Sequence, residues 1–339
     1  MRTAIGDLPE VSASLNLLDQ WGIVKVRWGA GRMNYRVDPG LYALGKPDDK
    51  SPVVVTANYK LSFDRLREAL SGRDVWILVL ETNGVNVWCA AGKGAFGTEE
   101  LVNRIRFSGL TQVITHQTLI LPQLGAVGVS AHQVKKRSGF KVIYGPILSK
   151  DLPLFLDSGL KATPEMRRKT FGLFERLVLV PIELVSALKI AAIMIPVLLM
   201  MSGLGGPEDY WSNVWNFGGF SAEALLVAIL AGTVLTPILL PWLPGRAFSL
   251  KGLSIGLVAA LVLALIRGFS LGVGSERLEL LGWFLLIPAV SSYLAMNFTG
   301  ASTYTSLSGV KKEMRWALPL QIAAAFLGLL LWLTSRFTT

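Results

Sequence analysis

The pattern of apolar and polar positions divides the chain in two. From about residue 52 short β-branched runs alternate with amphipathic stretches, the pattern of βα units around a parallel sheet. Val53 to Thr56, Val75 to Leu80, Gln112 to Thr115 and Lys141 to Tyr144 read as strands. Ser62 to Leu70 reads as a helix with Asp64, Arg65, Arg67 and Glu68 exposed and Leu61, Leu66 and Leu70 inward. Thr98 to Phe107 reads as another, with Thr98 as N-cap. Earlier in the chain, Val24, Val26 and the segment Tyr35 to Val37 read as short strands.

After the basic run Arg167, Arg168, Lys169 the pattern changes to five apolar stretches, Val185 to Leu204, Ala222 to Leu243, Gly252 to Leu271, Leu278 to Met296 and Trp316 to Leu333. Each approaches the roughly 20 residues that a helix needs to cross a hydrocarbon core of about 30 Å. The predicted architecture is an α/β domain over residues 1–165, with its core at about 52–160, followed by an all-α membrane domain of five helices over 166–339.

Charge follows the same division. Of 33 Lys and Arg against 23 Asp and Glu, residues 1–170 hold 23 and 15 and the remainder 10 and 8. With 52% hydrophobic residues, a disordered or collagen-like chain is excluded. Arg167, Arg168, Lys169 and Arg176 precede the first span, Arg246 and Lys251 separate the second from the third, and Lys311, Lys312 and Arg315 separate the fourth from the fifth. The alternate loops are poorer in cations, so the positive-inside rule places the N-terminal domain in the cytoplasm, the spans in the inner membrane and the C-terminus outside. The opening M-R-T-A-I-G-D-L-P-E lacks the apolar core of a secretory signal, which agrees with that placement.

Glu183, Lys189 and Arg267 are the charges nearest the membrane interior, and all lie close to predicted helix ends, where long side chains reach the interface. The bundle shows no internal repeat, so it reads as an anchor rather than a transporter with a regulatory domain. The hydroxyl-rich loop Asn297 to Arg315 is either a solvated connector or a docking element on the cytoplasmic side.

One cysteine and two histidines exclude an iron–sulfur cluster, a structural zinc site and an intrachain disulfide built from this chain alone. In open α/β sheets ligands bind beyond the carboxyl ends of the strands, which here carry Thr56 to Lys60, Glu81 to Gly94, His116 to Ala126 and Gly145 to Ile147. The match of Gly92 to Gly97 to G-x-G-x-x-G lies some ten residues beyond its strand and lacks the acidic residue that binds a ribose; the Walker A spacing fails as well. The remaining handle is Cys89, either a small buried apolar residue or a metal-binding thiolate, with Asn86 able to cap a helical turn and Lys93 nearby to favour the thiolate.

N-V-W-C-A-A-G-K, Asn86 to Lys93, resembles the cap-helix signature of the corrinoid proteins of microbial mercury methylation, the HgcA family. V-T-A-N-Y, L-I-L-P-Q-L-G-A, G-F-K-V-I-Y-G-P, the late N-F-T-G-A-S-T-Y-T-S and a five-span tail are similar to the same family. The resemblance covers roughly residues 52–147 and the membrane half.

The resemblance implies a Rossmann-like corrinoid-binding domain, related to the large subunit of corrinoid iron–sulfur proteins, in which a cap helix offers a thiolate as lower axial ligand to cobalt. That ligand would be Cys89, on a helix shaped by Asn86, Val87, Trp88, Ala90, Ala91, Gly92 and Lys93. Thr56, Asn58, Tyr59 and the turn Gln123, Leu124, Gly125, Ala126 are expected corrinoid neighbours by their place at strand ends. The implied activity is methyl transfer from a cobalamin-type cofactor to inorganic Hg(II), an electrophile that takes methyl with its bonding electrons, giving methylmercury. A donating thiolate opposite the methyl suits that chemistry. The implied partners are a ferredoxin-like protein with two four-iron clusters as electron donor, a methylated folate or its methyltransferase as methyl source, and membrane lipid, with no nucleic acid. The basic run Lys135, Lys136, Arg137 reads either as a guide for an acidic ferredoxin or as a solvated helix face. A methyl carrier of one-carbon metabolism with a different acceptor is the first rival assignment, and a membrane transporter with a cytoplasmic regulatory domain is the second.

Overall fold

The computed structural model describes residues 1–268, 274–302 and 307–338. Two compact units divide the chain, one made of Met1–Val26 with Ala30–Lys169, the other of Arg27–Gly29 with the chain from Thr170 onward.

A small ribbon, β1 (Arg2–Thr3) with β2 (Gly6–Asp7), opens the first unit beside a six-stranded sheet. The sheet runs β3 (Glu10–Val11), β4 (Gly40–Leu44), β6 (Val75–Leu80), β5 (Val53–Ala57), β7 (Thr118–Leu121), β8 (Lys141–Tyr144). The strands β6, β5, β7 and β8 are mutually parallel, and β4 joins β6 antiparallel at the edge of this core. Every residue of β5 and β6 is buried, as continuous apolar runs covered on both faces require. On one face α2 (Lys60–Ala69) and α7 (Leu152–Asp157) pack Phe63, Leu66 and Phe155 against Val54, Ile77 and Val79. On the other, α3 (Val87–Gly92), α4 (Thr98–Phe107) and α6 (Ala131–Ser138) cover Val53, Val55, Leu78 and Leu80. The chain leaves β5 towards β6 and leaves β7 towards β8, so the connections diverge between β5 and β7. In open α/β sheets ligands bind beyond the strands' carboxyl ends at such a divergence.

Several sequence expectations are corrected. Gln112 to Thr115 is not a strand: Gly109, at φ +61°, starts the single turn α5 (Leu110–Val113), in which Ile114 N–H bonds the Leu110 carbonyl at 3.2 Å. The strand is the apolar T-L-I-L that follows, stopped by Pro122. Val24 and Val26 belong to helix α1 (Leu17–Arg27), and Tyr35 to Val37 contributes only a bridge between Arg36 and Tyr59. Gly97, not Thr98, is the N-cap of α4; the Thr98 hydroxyl accepts from Ser130 N–H at 2.9 Å instead. On α2, Asp64 and Arg67 are buried rather than exposed, because both enter an ion network with Asp19 and Lys60.

Among the described residues of the second unit, five helices are long and apolar enough to cross a membrane: Leu173–Ser202, Tyr210–Leu239, Phe248–Arg267, Gly274–Thr299 and Ser308–Ser335. The second ends before the expected Leu243, and the third begins before the expected Gly252, which puts Lys251 inside the helix rather than in a loop. Lys251 is buried there and its Nζ donates to the carbonyls of Leu240 and Leu243 at 2.7 and 2.8 Å. The expected third-span residues beyond 268 lie outside the described residues, as do 303–306 of the hydroxyl-rich loop. The start of that loop packs into its own unit, with Phe298 buried beside Phe171, Leu240 and Phe248. Helices approach closely at small residues: a Cβ on Gly282 would stand 2.9 Å from the Gly328 carbonyl.

Candidate functional site

Three segments meet at the carboxyl ends of β5, β6 and β7. The chain leaves β6 through Glu81 to Asn86, forms the short helix α3, and turns back through Gly94 and Phe96 into α4. Leaving β7, it forms a 3-10 turn, Gln123–Val127, that packs on α3. The end of β5 supplies Asn58 and Tyr59 beneath them.

Helix α3 is amphipathic over six residues. Ala90 and Ala91 are buried in the core with Phe96, whereas Trp88, Cys89, Gly92 and Lys93 are exposed. Their spacing, i, i+1, i+4 and i+5, puts those four on one helix face. Asn86 caps the helix as its sequence position predicts: the side-chain Oδ1 accepts from Cys89 N–H at 2.9 Å. The bond fixes the turn that carries Cys89, whose free thiol is exposed. Lys93 closes the other end with its backbone N–H on the carbonyls of Cys89 and Ala90. A Cβ on Gly92 would meet nothing within 4 Å, so the face beside the thiol is open.

Asn58 is fully buried and its amide is committed within the protein. Its Oδ1 accepts from Thr82 N–H, Thr82 Oγ1 and Gly84 N–H at 3.1, 2.8 and 3.0 Å, and its Nδ2 donates to Glu81 Oε1 at 2.8 Å. Asn83, at φ +56°, and Gly84, at φ +69°, make the tight turn that these bonds hold. Asn58 therefore positions the loop that delivers α3. Thr56 and Tyr59 are likewise buried rather than at the surface, Tyr59 beside the Tyr35 ring.

The 3-10 turn meets α3 through glycine. A Cβ on Gly125 would lie 2.6 Å from the Phe96 ring, and one on Gly128 would lie 2.2 Å from the Phe96 carbonyl and 3.0 Å from Ala91 Cα. Gly125 thus serves packing, as does Gly128, a residue that sequence reasoning missed although the G-A-V-G spacing signals a close approach. Gln123 accepts a hydrogen bond from Arg167, and Leu124 and Ala126 are half-buried. Val127, also missed, is 81% exposed, and Trp88 is 38% exposed, so the thiol is accompanied by uncovered apolar side chains.

The segment Gly92 to Gly97 is the turn between α3 and α4, with Gly94 at φ +84°, and opens no helix directly after a strand; it is no dinucleotide fingerprint. The basic run Lys135 to Arg137 occupies the last turn of α6, which returns the chain to the start of β8. Within it, Arg137 is held by Glu99, in the first turn of α4, in a paired contact of 2.7 and 2.9 Å.

Residues 26–156 match the family model described as the CO dehydrogenase/acetyl-CoA synthase delta subunit. The acetyl-CoA decarbonylase/synthase complex subunit gamma of Methanopyrus kandleri is 32% identical over 123 residues, 36% of this chain and 26% of that protein. The subunit gamma 2 of Methanosarcina thermophila is 32% identical over 121 residues, 34% and 25% of the two chains. For the subunit gamma of Methanocaldococcus jannaschii the figures are 31% over 111 residues, 32% and 22%. The matched stretch spans about a quarter of these relatives' length. Residues 26–156, which carry the parallel strands, α3 and Cys89, lie within the family-model match, and the membrane helices lie outside it.

Proposed function

We propose that the chain is a membrane-anchored corrinoid methyltransferase that delivers a methyl group to inorganic Hg(II), with the Cys89 thiolate as lower axial ligand of cobalt. The observation that carries this reading is the exposed thiol on a capped turn at the carboxyl ends of parallel strands, within the segment similar to acetyl-CoA decarbonylase/synthase subunits. The residues fit a flat, largely apolar ring: the thiol is exposed, Trp88 and Val127 are uncovered, and Gly92 leaves its face open. When bound, the corrinoid supplies methyl transfer, and ligation by a thiolate suits an electrophilic acceptor.

The protein's own part is to hold that thiolate. Asn86 fixes the first turn of α3, Ala90 and Ala91 seat it on the core, and Asn58 pins the loop that enters it. Gly125 and Gly128 let the second wall come close. We assign the first unit to the cytoplasmic side and the chain's end to the outside, from the distribution of Lys and Arg. A ferredoxin-like protein with two four-iron clusters is the proposed electron donor and a methylated folate, or its methyltransferase, the methyl source.

The similarity to acetyl-CoA decarbonylase/synthase complex subunits favours a second reading, a methyl carrier in one-carbon metabolism. The two separate in an anaerobic assay of the full chain with corrinoid, the ferredoxin-like partner, a methyl donor, and Hg(II) or a metabolic thiol. Methylmercury that disappears in Cys89→Ala supports the first reading. Methylated thiol without methylmercury transfers the assignment to the second. Unchanged methylmercury in Cys89→Ala contradicts the thiolate ligand.

A further inference from the structure

Helix α1 carries two apolar faces. Gly22, Ile23 and Val26 are buried, and Asp19, the one acidic residue of the helix, is turned onto Lys60 and Arg67. At 100° per residue, Leu17, Trp21 and Val24 fall on the opposite side within a stripe about 60° wide, which Trp28 continues in the turn that follows. That stripe is uncovered: Leu17 is 81%, Trp21 59%, Val24 43% and Trp28 55% exposed, with Leu18 at 80% beside it. Exposed Lys25 flanks the stripe and exposed Arg32 follows it.

Scattered exposed apolar residues are ordinary, but four in one short stripe with a fifth beside it are not. Two tryptophans and leucines on one side, bordered by cations and free of acids, make the composition of a helix that lies in a lipid–water interface. The same chain has five helices fit to cross a membrane, which tether α1 near a bilayer and raise its effective concentration there.

We infer that α1 lies in the interface of the membrane that the chain itself spans. Leu17, Trp21, Val24 and Trp28 rest at the acyl boundary, and Lys25 and Arg32 face anionic headgroups.

The test uses the full chain in nanodiscs of phosphatidylethanolamine and phosphatidylglycerol. In a Cys89→Ala background, which removes the only native cysteine, Val24→Cys and Trp28→Cys each carry a nitroxide spin label. Lys136→Cys, on the exposed face of α6, is the aqueous control. All three sites are exposed, so the substitutions cost little stability, and circular dichroism checks the fold. The expected result is an oxygen-to-nickel-chelate collision ratio several-fold higher at positions 24 and 28 than at 136. Equal ratios overturn the inference. Labels sheltered from both reagents also overturn it, because a protein surface rather than lipid would then cover the stripe.

Discussion

In the first unit the buried charges face one another. Lys60 Nζ lies 2.6 Å from Asp19 and 2.8 Å from Asp64, and Arg67 reaches the same two carboxylates at 2.6 and 2.9 Å. In the second unit buried Lys251 and Arg176 donate instead to backbone carbonyls, Arg176 to those of Phe171 and Ile238. The ion pair joins Arg336 to Glu279 Oε2 at 2.7 Å and is buried on both sides, and Glu279 Oε1 has no hydrogen-bond partner among the described residues. A network of several charges shares the loss of any one member. In the Glu279–Arg336 pair, loss of one member leaves the other charge buried without that partner.

The comparison orders the expected effects. Arg336→Met strands a buried carboxylate and should cost about 3–5 kcal/mol, read as a fall in the melting temperature in nanodiscs. Adding Glu279→Leu should restore most of that loss, and a failure to do so would show that Arg336 acts through its stacking over Phe217 at 4.2 Å. Asn58→Leu removes the acceptor of three bonds and should cost about 3 kcal/mol, with protease sensitivity appearing at residues 81–86.

Acid sharpens the contrast between networks. Burial pushes the Asp19 carboxyl up, but Lys60, Arg67 and the Asn16 N–H outweigh burial and hold it at about 2. Since this lies below the unfolded value, the contribution is complete above about pH 4 and is lost as pH falls towards 2. About 2 kcal/mol of stability should vanish across that window in denaturant titrations, and Asp19→Asn should flatten the slope. Asn86→Ala should cost about 1 kcal/mol, visible as faster hydrogen exchange in residues 87–92. Cys89→Ala should change stability by less than about 0.5 kcal/mol, because its side chain is exposed, while removing activity.

How much of this was legible follows from the same physics. Continuous β-branched runs bounded by turn residues disclosed β5, β6 and β8, and the length of apolar stretches disclosed the membrane helices. Strand β7 was displaced because Q-V-I-T has strand composition, yet Gly109 starts a local turn there. Helix α1 was misread because its two apolar faces blur the helical period into the alternation of Val24, Lys25 and Val26. Asp64 and Arg67 looked like a solvated face because their counter-charge, Asp19, lies far back in the sequence. At the site, the cap by Asn86 follows from local spacing, whereas the exposure of Cys89 does not, because a lone cysteine beside alanines reads equally as a buried apolar residue. The commitment of Asn58 to Thr82 and Gly84, and the packing role of Gly125, depend on segments distant in sequence and were not visible.

The central claim is that the Cys89 thiolate ligates a corrinoid. It is tested most directly by the anaerobic ultraviolet–visible spectrum of the full chain reconstituted with a cobalamin, beside that of Cys89→Ala. The account predicts a retained corrinoid in the wild type whose bands shift when Cys89 is lost. Identical spectra from two corrinoid-loaded proteins, or no corrinoid retained by a folded wild-type chain, would contradict it.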